Sequence, residues 1–166
     1  MSSLSLTAQT PAPTLTSRPA TQEYHILIIE DLKGKRSIPL SYATYSLGRD
    51  STNTIQLQDP AVSRQHFLLL RVPSATRKYI YRVVDGDVNG KVSLNGITVN
   101  GNACKQKNLV PGDIIHLGEV VRIKYHIQPM TQEEYNWYFN RKDTQYRSIQ
   151  EEALDPVGTM TTILAQ

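Results

Sequence analysis

Between residues 24 and 128 the chain is written in short apolar runs separated by turn residues. Runs rich in Val, Ile, Leu and Tyr occupy 24–31, 36–40, 45–47, 54–57, 66–71, 78–84, 97–99, 114–117 and 121–127. Eight of the nine glycines lie between Gly34 and Gly118, so the breaks fall inside this stretch. Short strands at such spacing belong to a β-sandwich or barrel. Lys33-Gly34-Lys35 and Pro111-Gly112-Asp113 read as turns, proline setting φ and glycine supplying a permissive backbone. Tyr79, Tyr81 and Val83 alternate with Ile80, Arg82 and Val84. Both faces of that strand are partly apolar, which predicts a central position. No helical period appears before residue 129, and a parallel α/β fold would need crossover helices there.

The flanks read differently. In residues 1–22, fifteen positions are Ser, Thr, Pro or Ala and almost no apolar bulk is present. Such a segment cannot bury enough surface to offset its ordering entropy, so residues 1–23 are expected to form a disordered tail. It is either a solvated leader or a phosphorylatable arm. After residue 129 the period changes. Thr131-Gln-Glu-Glu134 fits a capping box, and Tyr135, Tyr138, Phe139, Tyr146, Ile149 and Ala153 recur mostly on one helical face. Asp155-Pro156 would stop that helix. Residues 129–166 are therefore expected to form one amphipathic helix, about 131–154, with a frayed end. Its aromatic face would dock on the β domain or bind a partner.

Composition narrows the function classes. The lone Cys104 excludes a disulfide framework and multi-cysteine zinc sites, and favours a reducing, cytoplasmic setting. No apolar run reaches the roughly 18 residues of a membrane span, and no basic patch precedes an apolar block as in a signal peptide. The formal charge of +3 hides a partition: residues 24–128 are net +6 and residues 129–166 net −3. The β segment is thus directed toward anions.

One constellation gives that charge a use. It reads Ser46-Leu-Gly48-Arg49, then Val62-Ser63-Arg64-Gln65-His66, then Ser93-Leu-Asn95-Gly96, followed by Val99-Asn100-Gly101. The gaps are 14 residues from Arg49 to Ser63 and 32 from Ser63 to Asn95. In order and spacing, residues 24–128 resemble a forkhead-associated (FHA) domain. The resemblance implies a β-sandwich of two mainly antiparallel sheets that binds phosphothreonine peptides without catalysis. It implies Arg49, Ser63, Arg64 and Asn95 as the peptide-binding residues, with Gly48, His66 and Gly96 supporting the loops.

The chemistry suits those roles. A phosphothreonine carries about −1.5 to −2 charges and three strong acceptor oxygens. Arg49 offers a planar fork of donors, Ser63 a short hydroxyl and Arg64 a second cation. Asn95 has both donor and acceptor and can pair with a peptide backbone. Asn89-Gly90 competes with Asn95-Gly96, but Val99-Asn100-Gly101 follows the latter at the family distance. Two positions depart from the pattern. Ile97 stands where Thr or Ser is common, and Leu94 replaces a small polar residue. Loop 85–95 is therefore expected to serve a different peptide context.

Other chemistry is poorly supported. Ser63, His66 and Asp59 are triad types, but no G-x-S-x-G elbow is present, and an enzyme is not expected. His25, His116 and His126 have no ligand companions at metal spacing. Cys104, beside Lys105 and Lys107, could have a lowered pKa or be an ordinary surface thiol. No cofactor is expected, and neither nucleic acid nor membrane is an expected partner. The expected partner is a phosphothreonine protein or peptide from a Ser/Thr kinase pathway. A second source would be the chain's own tails, through Thr10, Thr14, Thr16, Thr21, Thr159, Thr161 or Thr162. The alternative is a phospho-independent interaction domain acting through the C-terminal aromatic helix or a sandwich face.

Overall fold

The structure, a computed structural model, describes residues 17–140. In chain order they form β1 (Gln22–Asp31), β2 (Gly34–Leu40), β3 (Thr44–Gly48), β4 (Ile55–Gln56), β5 (Phe67–Val72), β6 (Ile80–Asp85), β7 (Ile97–Val99), β8 (Asn102–Cys104), β9 (Gln106–Asn108), β10 (Ile114–Leu117), β11 (Val121–Met130) and α1 (Gln132–Phe139). One sheet runs β2-β1-β11-β10-β7-β8 and the other β4-β3-β5-β6-β9. All pairings are antiparallel except β3 with β4. Leu27, Leu47, Leu69, Tyr81, Ile123 and Tyr125 are fully buried in the one large core. β6 lies between β5 and β9, and Tyr81 and Val83 on it are buried.

Several elements differ from the sequence expectation. β1 begins at Gln22, two residues earlier, because Gln22 and Glu23 pair with Met130 and Pro129 of β11. The polar strands β8 and β9 carry no apolar run; pairing with β7 and β6 makes them strands. Cys104 ends β8 instead of lying in an open loop. Burial raises its thiol pKa and outweighs the lowering by Lys107, which favours the ordinary thiol of the two readings over an activated one.

Both faces of β1 are apolar. Residues 25–29 are all buried. Leu27 and Ile29 join the inter-sheet core, while Ile26 and Ile28 form a second cluster with Met130 and Tyr138. The helix is started as expected: Thr131 accepts from Glu134 N–H, and the Glu134 carboxylate accepts from Thr131 N–H. Tyr24 stacks on Tyr135 with ring centres 4.3 Å apart. The expected helical positions Tyr146, Ile149 and Ala153 lie outside the described residues, as does most of the expected N-terminal tail.

The β1–β2 hairpin braces the chain that enters the candidate site. The Asp31 side chain is fully buried and pairs with Arg36 at 2.9 Å. It also accepts from Lys33 N–H and Gln58 N–H, each at 2.9 Å. Arg36 in turn donates to Gln56 O at 2.7 Å. Burial alone would raise the Asp31 pKa, but the guanidinium and the main-chain donors hold it below the ordinary value.

At one edge of the core His25 Nδ1 is hydrogen-bonded to the Tyr125 hydroxyl at 2.5 Å, and the ring stacks on Tyr79 at 4.4 Å. Burial lowers its pKa to about 4, with Arg77 and Arg71 acting in the same direction and Glu23 against them. Between pH 6.5 and about 4 the unfolded chain takes up a proton there that the folded chain excludes. Stability must fall as pH drops through that window, by on the order of 2–3 kcal/mol from His25. Denaturant midpoints across this range should show the fall, and a His25→Phe variant should show a shallower slope.

Candidate functional site

Three loops meet at one end of the sandwich, and a main-chain contact joins the first two. Gly48 ends β3 directly against the carbonyl of Arg64. A Cβ at Gly48 would sit 2.2 Å from that oxygen and 2.8 Å from its carbon, so no side chain fits. The approach lets Arg49 N–H donate to Ser63 O at 3.0 Å and Asp50 N–H to Arg64 O at 3.1 Å. Asn53, which sequence reasoning missed, reinforces the contact by donating to Arg64 O at 2.6 Å and Asp50 O at 2.9 Å. Its signal was the Asp50-Ser-Thr-Asn53 run, whose residue types bond their own backbone in turns.

His66 joins the third loop. It is fully buried. Its Nδ1 accepts from Ser63 N–H at 3.0 Å, so the ring proton sits on Nε2, which donates to Gly96 O at 2.7 Å. Burial lowers its pKa, against the raising effects of the Gly96 carbonyl and Asp85, so the neutral tautomer holds. Its own carbonyl accepts from Gly86 N–H at 2.7 Å. Gly96 has φ +69, a left-handed backbone that suits glycine. Asp59 accepts from Ala61 N–H at 2.7 Å and does not orient His66. Both imidazole nitrogens are engaged, so the Ser63/His66/Asp59 set has no triad geometry.

The loops enclose an open cleft of about 800 Å³ lined in part by Arg49, Ser63, Arg64, Lys91, Val92 and Leu94. Arg49 Nε donates to Val62 O at 3.1 Å, which orients the guanidinium and leaves its outer nitrogens uncommitted among the described residues. Ser63 Oγ accepts from Leu94 N–H at 3.0 Å, which leaves the hydroxyl hydrogen free to donate. Arg64 is exposed beside them. Asp50 and Asp87 also line the cleft, against the cations Arg49, Arg64 and Lys91. Thr52 holds the Asp50 carboxylate, through its N–H and its hydroxyl, and lowers its pKa. Asp87 Oδ1 is occupied by the N–H groups of Asn89 and Lys91, each at 2.9 Å. Asn89-Gly90 is thereby a turn tied to Asp87.

Asn95 stands apart from the other three expected binding residues. It does not line the cleft; its side-chain amide donates to Ala61 O at 2.8 Å. Lys91, by contrast, was not singled out from the sequence. A lone lysine in a turn-rich loop carries no pattern, and the Asp87 turn decides where it falls.

Residues 45–118 match the family model of the FHA domain. The chain carries an FHA domain. A curated relative, the uncharacterized protein sll1895 of Synechocystis sp., is 35% identical over 103 residues, which are 62% of this chain and 15% of that protein. The chain thus spans a small part of that relative's length. The crystal structure of Slr1951 from Synechocystis sp. is 36% identical with a TM-score of 0.59, covering 61% of this chain and 96% of that one. An FHA domain from work on phosphothreonine-dependent FHA interactions is 27% identical with a TM-score of 0.52, covering 64% and 99% of the two chains. The Rv0020c FHA structure, at 24% identity and a TM-score of 0.51, shares the fold over 64% of this chain and 95% of that one. FHA domains are interaction modules.

The Gly48–Arg64 contact can be tested directly. A Gly48→Ala substitution forces the Arg64 carbonyl away and should cost about 1–3 kcal/mol of stability. Hydrogen exchange at the Arg49 and Asp50 amides should accelerate in that variant beyond the global change.

Proposed function

We propose that this FHA domain binds phosphothreonine peptides and so recruits proteins marked by Ser/Thr kinases. The supporting observation is the pairing of Arg49 and Ser63. Main-chain hydrogen bonds set them side by side, and each retains donors that no described residue uses. A phosphate at the cleft would receive the Arg49 fork, the Ser63 hydroxyl and the charge of Arg64, with Lys91 on the lining. The relative solved in a phosphothreonine-dependent context supports the same class of ligand. Asn95, one residue beyond Leu94, would release or share its bond to Ala61 O to meet a peptide backbone. Gly48, His66 and Gly96 would act by holding the loops.

The helix offers less as a competing interface. Tyr138 is 1% exposed, and Tyr135 is stacked on Tyr24, so much of the described aromatic face is spent on the sandwich. The threonines proposed as internal ligands lie outside the described residues, apart from the exposed Thr21.

Titration calorimetry with a phosphothreonine peptide and its unphosphorylated copy tests the reading. Only the phosphorylated form should bind. Arg49→Ala and Ser63→Ala should each weaken it about 10- to 100-fold, the range for a charge-assisted hydrogen bond. Equal affinity for the two peptides would refute the proposal. A phosphoserine copy of the peptide tests the threonine preference.

A further inference from the structure

The loop from Asp85 to Asn95 reverses the usual distribution of side chains. Ser93 is buried, 8% exposed, and also lines the cleft; its hydroxyl accepts from Gly96 N–H at 2.9 Å. Its neighbours Val92 and Leu94 point outward at 60% and 89% exposed, and Val88 is 72% exposed. Single exposed aliphatics are ordinary on a protein surface. Three within seven residues of one loop, two of them on the wall of the cleft that holds Arg49 and Ser63, are not scattered.

Hydrogen bonds brace the loop backbone that carries these side chains. Asp87 N–H donates to Lys91 O at 2.9 Å, and Asp87 Oδ1 accepts two further amides. Gly86 has φ +105, and a Cβ there would lie 2.6 Å from Lys91 O. At the far end, Leu94 N–H is bonded to Ser63 Oγ. The Leu94 backbone therefore touches the same hydroxyl that is proposed to meet the phosphate. A braced loop backbone loses little conformational entropy when a ligand covers the apolar wall it carries.

We propose that Val92 and Leu94 are specificity residues that select phosphopeptides carrying an aliphatic side chain close to the phosphothreonine. The inference rests on the phosphothreonine reading above. The phosphate would be anchored by charge at Arg49 and Ser63, and the adjacent aliphatic side chain would cover the apolar wall. Serine or glycine at that place would leave the wall in water.

An array of phosphothreonine peptides, with each flanking position set to Leu, Ile, Val or Ser, measured against the full 166-residue chain tests this. At one or more positions the aliphatic peptides should bind about tenfold tighter than the serine peptide, the factor that burial of one such side chain supplies. In a Val92→Ser/Leu94→Ser double variant that ratio should fall to about twofold or less, both sites being solvent-facing and outside the core. Aliphatic and serine peptides binding the wild type alike would overturn this inference alone, as would an unchanged ratio in the variant. Failure of every phosphopeptide to bind would overturn the underlying reading together with it.

Discussion

The cleft depends on one close approach of backbone to backbone. Where β3 ends, Gly48 lies so near the Arg64 carbonyl that even a methyl group would overlap it. That contact puts Arg49 in hydrogen-bond register with Ser63 and Asp50 with Arg64. Without it, the fork of Arg49 and the hydroxyl of Ser63 would sit on loops with no common frame. Asn53 secures the contact by its bond to Arg64 O, and the Asp31–Arg36 pair anchors Gln56 and Gln58 on the chain that leads to Ser63. The groups proposed to meet a ligand are thus held by main-chain bonds, and their side chains remain available.

His66 extends the same arrangement to the third loop. A neutral imidazole can accept at one nitrogen and donate at the other, and this ring does both, joining Ser63 N–H to Gly96 O, 30 residues beyond His66 itself. An imidazolium would have no acceptor for Ser63 N–H. Burial keeps the ring neutral, so the polarity of the bridge and the shape of the cleft are set together. The residue is an architectural brace, and its chemistry is consumed by structure.

Much of this was legible in the sequence. The order and spacing of Gly48-Arg49, Ser63 to His66 and Asn95-Gly96 marked the three loops through their resemblance to the FHA pattern, although each piece alone carries little. The capping box at Thr131–Glu134 was likewise readable, since it is closed within four residues. β8 and β9 were not, because their residues are polar and become strands only through pairing with β7 and β6. The activation considered for Cys104 failed for a related reason: the nearby lysines are visible in sequence, but the burial that raises its pKa is not.

The sequence by itself determined the all-β class and the excess positive charge of the β segment, and its resemblance to FHA domains implied the sandwich and the loops that would carry the cleft. The first two follow from periodicity, turn chemistry and composition, which are local properties. Only the tertiary structure decided which donors stay free. It tied an Asn95 amide donor to Ala61 O, brought Lys91 to the cleft, buried Ser93 and left Val92 and Leu94 exposed on the cleft wall. The physical reason is that a hydrogen-bond partner or a buried face is supplied by residues distant in sequence, and no local pattern records which of them arrives.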